Sequence, residues 1–103
     1  MPPMNIAVIG FGYWGPNLLR NFSLRNDCEV KLVSDFRRER LNVVRKNYPS
    51  VCVTESPDDV VNDSMIDAVC VATPVFAHFE LAKKALQNGK HVMVEKQIGR
   101  AHV

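Results

Sequence analysis

Gly10-Phe11-Gly12-Tyr13-Trp14-Gly15 follows the apolar run Ile6-Ala7-Val8-Ile9 and opens a segment with helical spacing. A strand, a glycine turn and a helix N-terminus, in that order, build a cradle for phosphate. Gly10 permits the tight turn, Gly12 lets the backbone close on a pyrophosphate, and Gly15 lets the incoming helix pack closely on the strand. The helix N-terminus adds unpaired N–H groups and a partial positive charge. G-x-G-x-x-G alone is a weak signal, because an ordinary glycine-rich turn reads the same way. Here Asp35 stands twenty residues beyond Gly15, at the end of the next apolar run, where a ribose hydroxyl would be read.

Working outward, two periodicities alternate. Short continuous apolar runs mark strands buried on both faces: Asn5–Ile9, Val30–Ser34, Val51–Thr54, Ala68–Ala72 and His91–Glu95. Between them lie helical segments. The first is expected from Tyr13 to about Leu24, with Leu18, Leu19 and Phe22 facing the sheet and Pro16 in the first turn. The second, Arg38–Tyr48, carries Leu41, Val44 and Tyr48 on one side and is stopped by Pro49. A short third begins at Ser56-Pro57-Asp58-Asp59, with Ser56 as N-cap. The fourth, Val75–Asn88, places Phe79, Ala82, Ala85 and Leu86 together, with Gly89 just beyond its end. This alternation predicts an α/β fold, a doubly wound parallel sheet with helices on both faces. Its strand order is 3-2-1-4-5 if the glycine turn marks it as the nucleotide-binding type. Ligands of such a sheet gather at the carboxyl ends of strands 1 and 4, where the strand order reverses.

Bulk properties narrow the partners. The chain of 103 residues suffices for one core, with 47% apolar and 23% charged residues and a net charge of +2. That charge is too small to imply nucleic acid or an acidic membrane surface. No apolar run reaches the length of a membrane span, and Met1-Pro2-Pro3-Met4 lacks the regions of a signal peptide. The expected compartment is the cytoplasm. Cys28, Cys52 and Cys70 form no metal-ligand spacing with one another or with histidine, so no metal site is expected. Cys52 and Cys70 are read as small apolar residues of strands too far apart to be bridged, and all three as reduced and structural.

The residues able to carry chemistry collect at the carboxyl edge. Asp35 would accept from both hydroxyls of an adenosine ribose and repel a 2′-phosphate, which favours NAD over NADP. Arg37 and Arg38 leave NADP open, since an arginine beside the ribose can accommodate that phosphate. Asp35 also reads as a cap for the second helix. Thr73-Pro74 ends the fourth strand, where it either contacts the cofactor or simply turns the chain. His78 stands alone near the start of the fourth helix, and a packing or surface role suits it as well. Lys96 follows the fifth strand; there its ammonium is either a solvated charge or close enough to a nicotinamide and a substrate hydroxyl to take part in proton transfer.

Together these residues resemble the N-terminal domain of the glucose–fructose oxidoreductase / inositol dehydrogenase / MocA family. The resemblance covers Met4–Lys96 and rests on Gly10–Gly15, Ser34-Asp35, and Ala72-Thr73-Pro74 with His78. It continues through Ala82-Lys83-Lys84-Ala85-Leu86 and Gly89-Lys90-His91-Val92 to Val94-Glu95-Lys96. It implies a Rossmann-type domain that binds NAD, or less readily NADP, through Gly10, Phe11, Gly12, Tyr13, Trp14, Gly15, Asp35, Thr73, Pro74, His78 and Glu95. Lys96 matches the lysine of the family's Glu-Lys-Pro signature, which is assigned a catalytic role. The implied activity is hydride transfer between a nicotinamide and a sugar, nucleotide sugar or polyol in a longer, homo-oligomeric protein. Gly12-Tyr13-Trp14-Gly15-Pro16-Asn17-Leu18 is similar to members acting on UDP-N-acetylglucosamine-derived uronic acids.

Two departures matter. Gln97 stands where proline is expected, and the family's sugar-holding second domain is missing. Ile98-Gly99-Arg100-Ala101-His102-Val103 is the translation of ATC GGA AGA GCA CAC GTC, a common short-read sequencing adapter after its leading AG. One native C followed by that AG reads CAG, glutamine, and proline codons begin with C. Residues 1–97 are therefore expected to form an incomplete dinucleotide-binding domain, with 98–103 a non-native tail; the alternative is a genuine short protein whose end matches the adapter by chance. Such a fragment has cofactor residues and Lys96 but nothing to position a sugar. It is expected to turn over negligibly and to be marginally stable or self-associating. The alternatives are a stand-alone NAD-binding regulatory module, which has no use for Lys96, and a methyltransferase-type fold binding S-adenosylmethionine, which lacks a diphosphate to fill the glycine cradle.

Overall fold

The computed structural model describes residues 3–11, 15–72 and 75–94, with side chains of the last stretch described from residue 80 onward. The elements are β1 (Met4–Ile9), α1 (Gly15–Ser23), β2 (Cys28–Ser34), α2 (Arg38–Asn47), β3 (Cys52–Thr54), α3 (Pro57–Val61), β4 (Ala68–Val71), α4 (Val75–Gln87) and β5 (His91–Val94). The strands form one sheet of order β3-β2-β1-β4-β5, every pairing parallel. This is the doubly wound order expected of a nucleotide-binding sheet.

Strand alternation divides the core in two. Ile6 and Val8 of β1 pack with Leu19 of α1 and with Leu41 and Val44 of α2. Ala7 and Ile9 point the other way, against Val60 and Val61 of α3 and Ala85 of α4. Each fully buried Val or Leu stabilises the fold by about 1.5–3 kcal/mol, so the continuous apolar runs report a sheet covered on both faces. β2 starts earlier than its apolar run, because Cys28 already pairs with Met4. Its exposed Glu29 and Lys31, joined by a 2.9 Å ion pair, conceal this in the sequence. The register shifts between Ile6 and Ala7, whose partners are Val30 and Leu32, leaving Lys31 as the extra residue of a bulge.

Several local expectations change. Leu86 is 61% exposed, whereas Ala85 and Leu81 pack on the sheet. Ala85 belongs to the buried stripe of α4 as expected, but the stripe takes in Leu81 and leaves Leu86 at the surface. Cys52 is exposed rather than packed inside. At the edge strand β3, alternation turns Val53, and Val51 just before the strand, toward the core and Cys52 away. Cys28 is half-buried, and burial pushes its thiol pKa up, which suits an unreactive structural residue. Cys70 is buried in the core. Ser56 occupies the N-cap of α3, but its side chain makes no capping bond. Instead Thr54 Oγ1 accepts from the Ser56 N–H at 3.1 Å and donates to Asp59 Oδ2 at 2.5 Å. Gly89 follows α4 with φ +78°, and the Lys90 N–H donates back to the Ala85 carbonyl at 3.0 Å.

Candidate functional site

Three strands deliver the site. Beyond the ends of β1, β2 and β4 the ladder continues by single backbone bonds: Gly10 N–H to Ser34 O at 2.7 Å, Asp35 N–H to Thr54 O at 3.2 Å, and Ala72 N–H to Ile9 O at 2.8 Å. Gly10, Asp35 and Ala72 are thereby held side by side at the carboxyl edge. Gly10 turns the chain there with φ +97°, a conformation that favours glycine.

Asp35 is the centre of the edge. Its side chain is only 5% exposed, yet both oxygens are fully engaged. Oδ2 accepts from the Phe11 N–H at 2.7 Å and from Arg37 Nη2 at 3.2 Å. Oδ1 accepts from the Arg37 N–H at 2.8 Å and from Arg37 Nε at 3.1 Å. Burial by itself raises the carboxyl pKa. The Arg37 side chain, the Arg37 and Phe11 N–H groups and the guanidinium charge outweigh it and hold Asp35 below the usual aspartate range. The carboxylate ties the glycine loop to the end of β2. It is not a helix cap: the N-cap of α2 is Arg37, with no capping bond from its side chain.

The glycine cradle is sterically determined at its far end. A Cβ on Gly15 would collide with the Gly10 carbonyl oxygen and lie 3.2 Å from Phe11 Cδ1. α1 therefore starts tight against the turn, and only glycine leaves the backbone free to approach it. The Phe11 ring itself is buried in the core with Leu19, so what Phe11 offers the edge is its backbone. A cradle that a Cβ would fill, beside a buried carboxylate, fits the diphosphate and ribose of a dinucleotide.

Gly12, Tyr13, Trp14, Thr73, Pro74, Glu95 and Lys96 lie outside the described residues, and for His78 the description extends only to its backbone in α4. The structure adds what sequence reasoning missed. Arg37 and Arg38 look equivalent as neighbours, but Arg37 forks onto Asp35 while Arg38 Nε binds Glu55 Oε2 at 2.7 Å. Phe36, between Asp35 and Arg37, is 74% exposed, an aromatic surface next to the buried carboxylate. An exposed aromatic directly after the acid was the available signal.

A model of the oxidoreductase family with an NAD-binding Rossmann fold, the glucose–fructose oxidoreductase / inositol dehydrogenase / MocA family, matches residues 4–98. The chain belongs to this family. It is 33% identical over 100 residues to the 2,7-anhydro-N-acetylneuraminate hydratase of Escherichia coli, covering 96% of the chain and 26% of the relative. It is 30% identical over 95 residues to the myo-inositol 2-dehydrogenase of Thermotoga maritima, covering 92% and 28%. The scyllo-inositol dehydrogenase of Lactobacillus casei, solved with NAD(H) and scyllo-inositol, superposes with a TM-score of 0.84 at 27% identity, covering 91% of the chain and 28% of that protein. The chain thus spans between a quarter and a third of the length of these relatives. It is an NAD-binding domain of the oxidoreductase family. Among the described residues no helix is long and apolar enough to cross a membrane.

Proposed function

We propose that this domain serves a longer NAD-dependent oxidoreductase acting on a polyol, sugar or nucleotide sugar. The observation that carries the reading is the buried Asp35 carboxylate, bonded to the Phe11 N–H of the glycine loop at the carboxyl edge. A 2,3-diol donates two hydrogen bonds, and an ionised, preorganised acceptor there favours NAD. When bound, the dinucleotide supplies a nicotinamide that accepts or gives hydride. The chain's own part is to bind its phosphates through Gly10–Gly15, to orient its ribose through Asp35, and to carry Lys96 after β5 as the proton-transfer residue. Thr73, Pro74, His78 and Glu95 complete the proposed contacts. The polyol class is supported by the inositol dehydrogenases among the relatives. A cytoplasmic location and a homo-oligomeric full-length protein belong to the same reading, as does a native sequence that departs from this chain after Lys96.

Calorimetric titration of the chain with NAD tests the binding half. Asp35→Ala is expected to weaken NAD by about 2–3 kcal/mol, the worth of hydrogen bonds to a charged acceptor. Binding that is unaffected by the change would refute the ribose role. Sequencing the source gene across the codon after Lys96 tests the rest. Proline followed by a second domain is expected, and Lys96→Ala in that protein should abolish hydride transfer while NAD still binds. A gene that encodes Gln97–Val103 and stops would remove the catalytic reading.

A further inference from the structure

The four hydrogen bonds on Asp35 are of two kinds. One acceptor position on each oxygen belongs to a backbone N–H, from Phe11 or Arg37, fixed by the turn after β1 and the turn before α2. The other position on each oxygen belongs to the Arg37 side chain, through Nε and Nη2. A carboxylate offers about four such positions, so the free protein has none left over. A ribose diol needs two. The backbone donors cannot leave without unmaking the edge, but the Arg37 side chain can: it is a long, rotatable arm, 48% exposed.

We infer that Arg37 is a specificity-determining residue, which occupies in the free protein the two acceptor positions of Asp35 that a ribose diol would take. The inference rests on the dinucleotide reading of the site and adds to it. An NAD ribose enters by displacing the guanidinium, so its affinity is reduced by the worth of that ion pair. A 2′-phosphate has no diol to offer Asp35 and needs a cation instead. The guanidinium has five N–H donors, and two are used on Asp35, so it can bridge the carboxylate and the phosphate without leaving. Arg37 therefore opposes NAD and supports NADP, narrowing a preference that Asp35 alone would make steep. Arg38 does not share this role, because its side chain is turned to Glu55 and is 82% exposed.

The test measures dissociation constants of NAD and NADP on the 103-residue chain and its Arg37→Ala, Arg37→Lys and Arg38→Ala variants, with far-ultraviolet circular dichroism to establish folding. Arg37→Ala is expected to tighten NAD about two- to fivefold, the worth of a half-exposed ion pair, and to weaken NADP about tenfold or more. Arg37→Lys keeps the charge but loses the fork, so it should tighten NAD while weakening NADP less than alanine does. Arg38→Ala should leave the ratio unchanged. If Arg37→Ala shifts both cofactors in the same direction by the same factor, or weakens NAD, the guanidinium acts only as a general positive charge and the inference is wrong. A ratio change in Arg38→Ala equal to that in Arg37→Ala refutes it as well. A folded wild-type chain that binds neither cofactor overturns the dinucleotide reading itself, and the inference with it. Wild-type binding with an unmoved Arg37→Ala ratio overturns the inference alone.

Discussion

Two buried charges sit near opposite edges of the sheet, and they are satisfied in different ways. Asp35, after β2, owes half of its hydrogen bonds to the exposed side chain of Arg37. Lys90, just before β5, points its Nζ at two backbone carbonyls, Asp63 at 2.6 Å and Ile66 at 3.0 Å. The loop that supplies those carbonyls is itself tied down. The Asn5 N–H donates to Asp67 Oδ2 at 2.8 Å, and Asn5 Nδ2 donates to the Met65 carbonyl at 2.9 Å. Lys90 thus closes the amino edge with partners that cannot exchange. Asp35 holds the carboxyl edge with one partner that can. Lys90 is satisfied by backbone alone, whereas Asp35 keeps two of its four hydrogen bonds on a rotatable surface arm.

That contrast can be broken by exchanging what each edge tolerates. Gly15→Ala drives a methyl group into the Gly10 carbonyl, a backbone atom that cannot swing aside, and should cost about 3 kcal/mol of stability, at the upper end of overpacking penalties. Urea unfolding would show it, and a loss under 1 kcal/mol would mean that α1 can shift. Lys90→Met keeps the apolar stem and removes the ammonium, leaving the Asp63 and Ile66 carbonyls without their donor. A loss of about 2 kcal/mol in stability is expected, with NAD affinity of the folded protein unchanged. A change in affinity comparable to that of Asp35→Ala would erase the distinction between the edges. The smallest effect is that of acid. Because the folded pKa of Asp35 lies below its ordinary value, its contribution is complete above the unfolded pKa, near 4. It is lost as pH falls through the lower folded value. Stability should therefore decline below about pH 4, and less steeply in Arg37→Ala, where the folded pKa is nearer to normal.

The fold was legible because buried parallel strands write themselves as unbroken apolar runs, and Ile6–Ile9 and Ala68–Val71 do so plainly. Gly10, Gly15 and Asp35 were legible as a candidate site because the strand–turn–helix spacing, with Asp35 after the next strand, brings the end of β1, the start of α1 and the end of β2 to one edge. Leu86 and Cys52 misled for a common reason. Each sits beside truly buried residues, and a window of sequence does not resolve a rotation of one position in α4 or one step of alternation in β3. The division of labour between Arg37 and Arg38 was not readable, since it depends on which one lies across the carboxylate and which one faces β3–α3 and Glu55. Lys90 was silent for the same reason: its partners are carbonyls 24 and 27 residues earlier.

The strand order also has a consequence in time. β1 lies at the centre, pairing with β2 through contacts such as Met4 with Cys28, and with β4 through contacts such as Ala7 with Val69. β1 is therefore synthesised more than sixty residues before its second neighbour. At roughly 5–20 residues per second, β1 waits several seconds with one side unpaired. Such long-range pairing slows folding and lengthens exposure of an apolar strand, so the central strand is synthesised before both of its neighbours and is completed only when β4 arrives.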